Sequence, residues 1–413
     1  MKKIILSTIV VSSVLMAGGY KIPETSTNAV ALSAANIAHN KSADAAYYNP
    51  ANMVFMEDTN HIEVDLTYIG LDPINYKGST TTSLGLTTNN VDTDSNGETF
   101  FIPSIHYVSG KAGETRIGLS ITAPGGLSKR WNEEPAKTTA EEFTLQVVEI
   151  NPTVAIPVND KLAVAFGFRI IYSSGIVKSN GTIASGVTAS RDMEGNSLDY
   201  GYNLALAYKP MPELEFGMTY RSDVSLGQEG SAKLETTHPL ADPNTYDGDA
   251  YVSVPLPATF AAAVAYTLPT ETTIEFVYEK TYWSSYKELA FSYDGTEGSV
   301  LGSIFGTVKP KNWKDTNTFR LGLTQELDSM TLMAGMVYDE SPVPEETIGF
   351  ELPDSNSLAV SLGGRYQVTE KIDVALAALY SMRESRTVEN DSLDGEFSDG
   401  NVLIVSMGVG YKF

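Results

Sequence analysis

The side chains that could do chemistry are few and scattered. Four histidines, His39, His61, His106 and His238, are the only candidates for a neutral-pH general base. A base of that kind works on a nucleophile within hydrogen-bond reach and is itself oriented by a third group. None of the four sits in such a constellation, and they do not cluster as metal ligands. With no cysteine, the chain has no thiolate chemistry, no disulfide framework and no lipid-anchored N-terminal Cys. Two acidic runs stand out, Asp92-Thr93-Asp94-Ser95-Asn96-Gly97-Glu98 and Glu389-Asn390-Asp391-Ser392-Leu393-Asp394-Gly395-Glu396. The first resembles a calcium loop but lacks the ligand spacing and flanking helices of an EF-hand, so both read as solvated acidic rims. No catalytic residue, metal or cofactor is expected, and the chain does not read as an enzyme.

Composition narrows the class. The 413 residues carry 51 acidic against 28 basic side chains, a formal charge of −23. Binding a phosphate backbone needs Lys and Arg to neutralise it, so no nucleic-acid partner is expected. Charged residues are 19%, below the roughly 25% of ordinary globular chains, while 22 tyrosines and 34 glycines run high. That balance favours a β-rich chain with much surface that is not in water.

The start of the chain points to export. Lys2 and Lys3 precede an apolar run from Ile4 to Ala17 that closes in Met16-Ala17-Gly18-Gly19. A basic start, a short apolar stretch and a small-residue exit make a secretory signal, here assigned to 1–18. The run falls short of the roughly 20 residues a helix needs to span hydrocarbon. No later stretch reaches eighteen apolar residues, but a closed barrel could still cross a membrane.

From residue 62 onward the pattern has period two. Ile62, Val64, Leu66 and Tyr68 alternate with Glu63, Asp65 and Thr67, and Leu358, Val360 and Leu362 with Ser357, Ala359 and Ser361. One face is apolar and the other small or polar, which fits a soluble sandwich or a membrane barrel equally. The connections discriminate. Fourteen strand-like stretches are expected at 61–71, 99–108, 114–123, 143–157, 160–177, 197–209, 213–227, 250–267, 271–291, 313–326, 330–338, 357–368, 371–382 and 402–413. Their connections alternate strictly, long at 72–98, 124–142, 178–196, 228–249, 292–312, 339–356 and 383–401, and tight between. Long loops on one side, short turns on the other and an even strand number are how bacterial outer-membrane barrels are built. The last stretch agrees, with Leu403, Val405, Met407, Val409, Tyr411 and the terminal Phe413 forming one apolar row. A terminal strand of this kind makes the outer-membrane assembly machinery an expected partner. Both termini should then be periplasmic.

Residues 19–58 do not alternate. They are rich in Ala, Asn and Ser, with a short helix expected over 29–35, and end in Tyr47-Tyr48-Asn49-Pro50-Ala51. Small apolar residues and few charges suit a packed segment better than a periplasmic tail, and a barrel of fourteen strands is wide enough to need filling.

Several motifs recur together: Asn49-Pro50-Ala51, Ala123-Pro124-Gly125-Gly126-Leu127, Trp313-Lys314-Asp315-Thr316 through Phe319-Arg320-Leu321-Gly322, and Tyr338-Asp339-Glu340-Ser341-Pro342-Val343-Pro344. In that order they resemble the FadL-type family of long-chain fatty acid and hydrocarbon transporters of Gram-negative outer membranes. The resemblance covers nearly the whole chain after the signal. It implies an all-β, 14-stranded antiparallel transmembrane barrel over 59–413, closed by an N-terminal hatch over 19–58 that carries Asn49, Pro50 and Ala51. It also implies passive carriage of hydrophobic molecules, with outer-membrane lipid as a second partner.

Pro124 cannot donate to a ladder and Gly125 and Gly126 mark bulges or close approach, so pairing should weaken after Ala123. From the residues alone this is equally an ordinary strand end. The resemblance implies instead an inward kink at Ala123, Pro124, Gly125 and Gly126 that opens the wall laterally to lipid. It further implies an outer hydrophobic groove containing Leu127 and Trp131, and basic contacts to a fatty-acid carboxylate at Lys309 and Lys178. An aromatic or alkane hydrocarbon channel would need no such cation. A general porin or an adhesin barrel is the reading furthest from these motifs.

Overall fold

The computed structural model describes residues 18–413; the signal assigned to 1–18 lies almost wholly outside them. Among the described residues no helix is long and apolar enough to cross a membrane. Fourteen antiparallel strands form a closed barrel. The first seven are His61–Leu71, Glu98–Val108, Arg116–Arg130, Glu142–Asn159, Leu162–Ala184, Val187–Met211 and the interrupted pair Leu214–Arg221 and Val224–Thr236. The eighth is Thr245–Leu256 with Thr259–Thr267, followed by Thr272–Thr281, Thr316–Glu326, Met330–Asp339, Ser357–Gln367, Ile372–Arg383 and Val402–Lys412. Closure comes from the first strand, which pairs along its whole length with the second (His61↔Val108) and with the fourteenth (His61↔Lys412).

The alternation sorts side chains as the barrel requires. Leu403, Met407, Val409, Tyr411 and Phe413 are 41–57% exposed on the outside, while Ile404 and Ser406 are fully buried on the inside. Apolar rows that would be a liability in water suit hydrocarbon. Six tight connections lie at one end of the barrel. The chain enters and leaves there too, with the Asn60 and Phe413 backbones exchanging two hydrogen bonds of 3.1 and 3.0 Å.

The connections at the other end are less loop-like than their polarity suggests. The expected loop 178–196 is mostly strand, since the fifth and sixth strands continue to Ala184 and from Val187 and leave only a two-residue turn. The third strand likewise runs on to Arg130, and the seventh and eighth to Thr236 and from Thr245. Within the first connection, Ile74–Thr81 pairs with Thr87–Asp94 and with Leu393–Asp399 from the last connection, which also pairs with Arg386–Glu389. The outward face of the fifth- and sixth-strand extensions is polar, and their buried face mixes small and polar residues such as Ser179, Gly181 and Arg191 with Ile183, Ala189 and Met193, so no steady apolar period betrays them. The stretch expected at 271–291, by contrast, ends as a strand at Thr281, where the chain leaves the wall for a short 3₁₀ turn, Trp283–Ser285.

Residues 18–56 are almost entirely buried against the inward faces of the strands. The helix expected over 29–35 is Thr27–Ala31, capped by the Ser26 hydroxyl, and it stops early because Ser33 and Ala34 adopt left-handed φ of 49° and 60°. Anchoring is polar: the Thr27 amide and hydroxyl donate to Asp65 (3.1 and 2.6 Å), and the Ser33 and Ser361 hydroxyls meet at 2.8 Å. Gly335 allows the closest approach, because a Cβ there would overlap the Leu32 carbonyl group.

Leu362 is the sixth residue of the twelfth strand and 69% exposed on the outer face. Leu362→Arg should therefore destabilise the barrel by about 2–4 kcal/mol, the range for a cation at a bilayer midplane. Urea unfolding in lipid vesicles reads this directly, and an unchanged midpoint would place that face away from hydrocarbon.

Candidate functional site

The third strand is where the wall is incomplete. Its pairing with the second strand covers only Val108↔Gly118 to Ile105↔Ile121. Contact resumes near the far end, where the Asn96 amide donates to the Arg130 carbonyl (2.9 Å) and Ser95 bridges Trp131. Between these points 97–104 and 122–129 share no ladder pair. On its other side the third strand stays paired with the fourth, apart from a bulge between Thr122 and Gly125. Pro124 sits in that bulge, consistent with its missing donor.

The start of the described chain fills part of the vacated edge. The Ile22 amide donates to the Pro124 carbonyl (2.9 Å) and the Gly126 amide to the Tyr20 carbonyl (2.8 Å), with Lys21 bridging Gly125. A Cβ on Gly125 would lie 3.0 Å from the Tyr20 carbonyl oxygen, tighter than ordinary contact.

Beside this junction lies a cavity of about 70 Å³, lined by Pro124, Tyr47, Tyr48, Arg169, Arg221 and Arg320 among others. Ligand pockets are commonly ~300–1,000 Å³, so an elongated molecule enters only if the inner segment shifts. The cavity's charges are mostly paired. Glu149, fully buried, accepts from Arg169 Nε (2.9 Å) and Arg221 Nη1 (2.8 Å), and Arg221 also donates to the Tyr47 carbonyl (2.6 Å) and covers the Tyr47 ring at 3.9 Å. Glu279 pairs with Lys21 and stands 3.5 Å from Arg320. Among the described residues Arg320 Nε has no acceptor, although the side chain is 2% exposed. Burial pushes the Glu24 carboxyl up to about 7 against the pull of Arg320. A buried guanidinium with an unused donor can take a carboxylate oxygen, and charge-assisted bonds of that kind are the strong ones.

The Asn49-Pro50-Ala51 motif acts as a staple. Asn49 Oδ1 accepts from the Ala51 amide (3.2 Å), capping the 3₁₀ turn Pro50–Phe55, while its Nδ2 donates to the carbonyls of Ile37 (2.8 Å) and Leu206 (3.1 Å). Leu206 belongs to the sixth strand, so one side chain ties two parts of the segment to the wall. Glu275 in the ninth strand makes the second anchor. It accepts the backbone amides of Ile37 (2.7 Å), Ala38 (2.7 Å) and His39 (3.0 Å), and the His39 ring meets Glu215 at 2.8 Å.

The other expected site residues are elsewhere. Lys178 lies on the extended part of the fifth strand, 3.4 Å from Asp192, and Lys309 is exposed in a short bridge to Leu289. Neither lines the cavity; the buried lysine of that stretch is Lys311, paired with Glu351. Burial pushes the Glu351 carboxyl up, but Lys311 and Lys309 more than reverse this and hold it at about 2. Leu127 and Trp131 are buried, not spread along an open groove: Trp131 donates its indole N–H to the Phe350 carbonyl (2.9 Å) and packs on that ring. The folded-over connections cover them. Arg169, Arg221 and Arg320 were not singled out from the sequence, because an inward arginine on a strand looks like any polar residue in an alternating row.

A closed, even-stranded barrel with an apolar exterior and inward-facing charges defines an outer-membrane β-barrel. More particularly, residues 8–413 match the model of the family described as outer membrane protein transport protein (OMPP1/FadL/TodX), and the chain belongs to that family. A long-chain fatty acid transport protein of Salmonella typhi is 23% identical over 393 residues, covering 88% of this chain and 87% of the relative. Outer membrane protein P1 of Haemophilus influenzae is 22% identical over the whole of both chains. Among solved structures, a Pseudomonas aeruginosa FadL homologue superposes with a TM-score of 0.84 at 19% identity, covering 96% of this chain and 100% of that one. The Pseudomonas putida toluene transporter TodX gives 0.73 at 16% identity, with the same coverage. The protein is thus an outer-membrane transport protein of a Gram-negative family.

Hydrogen bonds to charged groups contribute about 1.5–3 kcal/mol each. Weakening the Glu275 anchor by Glu275→Gln should therefore speed hydrogen exchange at Ile37, Ala38 and His39 by about tenfold or more, with the barrel amides unaffected. Exchange read by mass spectrometry on the detergent-purified protein tests this; unaltered rates at those three amides would remove Glu275 as an anchor.

Proposed function

We propose that the protein is a passive channel for long-chain fatty acids or similarly elongated amphiphiles, which leave sideways into the bilayer through the gap beside Ala123, Pro124, Gly125 and Gly126. The observation that carries this reading is the cavity's position: its arginines and Pro124 line one cavity, and Pro124 belongs to the stretch where strands two and three do not pair. Segment 19–58 serves as the hatch, held by Asn49, Pro50, Ala51 and Glu275. The long connections lie outside the cell and the carboxyl terminus in the periplasm; the amino end of the mature chain, expected there as well, lies instead within the barrel, where Gly18 packs on Asp339 near the long connections, and residues 1–18 act as the export signal. The terminal strand ending in Phe413 is the recognition element for the assembly machinery.

Along this route Lys309, exposed at the long-connection end, and Lys178, half-buried beside Asp192, are the first cations an entering carboxylate meets. Leu127 and Trp131 receive the tail once the covering connections part, and Arg320 takes the carboxylate in the cavity. Withdrawal of Tyr20, Lys21 and Ile22 from the third strand then frees the gap. Lateral exit keeps the tail out of periplasmic water, and re-exposing it would cost about 0.8 kcal/mol per CH₂. The lumenal charges speak for a substrate with an anionic head over a plain aromatic or alkane hydrocarbon, the cargo class named for the toluene transporter it resembles.

Ala123→Arg sets a charged side chain in the gap and should reduce oleate uptake to the level of cells lacking the protein, with heat-modifiable migration on gels showing that the barrel still assembles. Normal uptake by the assembled variant would overturn lateral exit. Separately, Arg320→Met should weaken oleate binding by about tenfold, the equivalent of losing roughly 1.4 kcal/mol, while leaving affinity for a long alkane within twofold. Equal losses for both ligands would remove the carboxylate role and favour a hydrocarbon channel.

A further inference from the structure

Gly18 and Gly19 are buried in a setting that the transport reading does not use. Both have left-handed φ, 84° and 78°, a conformation L side chains rarely adopt. A Cβ on Gly18 would lie 2.5 Å from Asp339 Oδ2 and 3.2 Å from Oδ1, so the Gly18 α-carbon stands directly against that carboxylate. A Cβ on Gly19 would lie 2.6 Å from the Trp283 ring and 3.0 Å from that of Trp313. The Gly19 amide donates to Asp354 (3.2 Å), and Tyr20 seals the site edge-on against Trp283, with ring centroids 4.7 Å apart.

The charges around Gly18 do not balance. Asp354 is fully buried and paired with Arg383. Asp339 is 8% exposed, and among the described residues its only hydrogen-bond donor is the Thr318 hydroxyl, 2.6 Å from Oδ1, and no cation is within ion-pair distance, Lys21 and Arg320 acting on it only from further away. A buried carboxylate without a cation in direct contact is expensive, and its Oδ2 is the atom nearest Gly18.

We infer that the Ala17–Gly18 bond is the site of proteolytic maturation, and that the α-ammonium created there on Gly18 is bound by Asp339. The step is hydrolysis by a signal peptidase: water adds across the amide, the Ala17 carbonyl carbon keeps the oxygen as a carboxylate, and the Gly18 nitrogen leaves as an amine that is protonated at neutral pH. Maturation thus brings a cation into direct contact with Asp339; Ala17 supplies the small residue before the cut, and the two glycines after it give the tight fit. The boundary falls one residue before the end of the 1–18 signal segment. This inference rests on the reading of the leading segment as an export signal, and is independent of the cargo and of lateral exit.

The test uses the full protein purified from outer membranes in detergent. Its intact mass should correspond to a chain beginning at Gly18; any other first residue overturns the inference. Acetylation of the α-amine by an N-hydroxysuccinimide ester at pH 7, followed by mass spectrometry of the N-terminal peptide, should run about tenfold slower in the wild type than in Asp339→Asn. Equal rates in an Asp339→Asn protein that keeps heat-modifiable migration overturn the ammonium site. Should that variant fail to assemble, one glycine inserted between Ala17 and Gly18 leaves Asp339 intact and displaces the amine by one residue. The inserted form should label about tenfold faster than wild type, and labelling as slow as wild type overturns the site.

Discussion

In hydrocarbon a backbone amide has no water to turn to, so every N–H and C=O in the wall must find a partner within the chain. The pairing of the first strand with the fourteenth, eleven residues long, meets that demand for the barrel as a whole. It also makes the exception beside the third strand expensive. There the chain supplies a substitute from its own beginning, with Tyr20, Lys21 and Ile22 adding to the edge that the second strand leaves. The stretch buried against the inward faces of the strands and the stretch that pairs with the third-strand edge are continuous, so a shift of one is coupled to pairing of the other.

Electrostatics reinforces this arrangement from within. The protein carries a formal charge of −23, yet Arg116, Arg169, Arg320 and Arg383 all point inward and are almost wholly buried. Arg365 ties Glu63 and Asp373 of the wall to the side chain of Asn28 on the inner segment, the last at 2.9 Å. Buried pairs of this kind are weak evidence for net stability. What they fix is register, since a shifted segment would leave each charge without its partner.

Much of the fold could be read from the sequence because lipid and lumen impose a strict two-residue period and the two ends of the barrel differ in connection length. Leu403 to Phe413 and Ile62 to Tyr68 therefore sit where the alternation puts them. The extensions of the fifth and sixth strands were illegible because the buried face of 178–196 mixes Ser179, Gly181 and Arg191 with Ile183, Ala189 and Met193, so no steady apolar row marks a strand there. Pro124 was informative because its missing donor is a backbone fact that no context restores. Lys309 and Lys178 were not brought to the cavity, since spacing along a chain says nothing about which way a long connection folds. The arginines that do line it are inward residues whose role depends on Glu149 of the fourth strand, Glu279 of the ninth and the inner segment, which no local pattern brings together.

The small sheet above the barrel joins Ile74–Thr81 to Leu393–Asp399, segments separated by some three hundred residues but lying on either side of the seam where the first and last strands meet. The sheet therefore spans the seam and links its two sides beyond the wall like a clasp, so Tyr76 opposite Phe397 reports that the first and last strands have met in register.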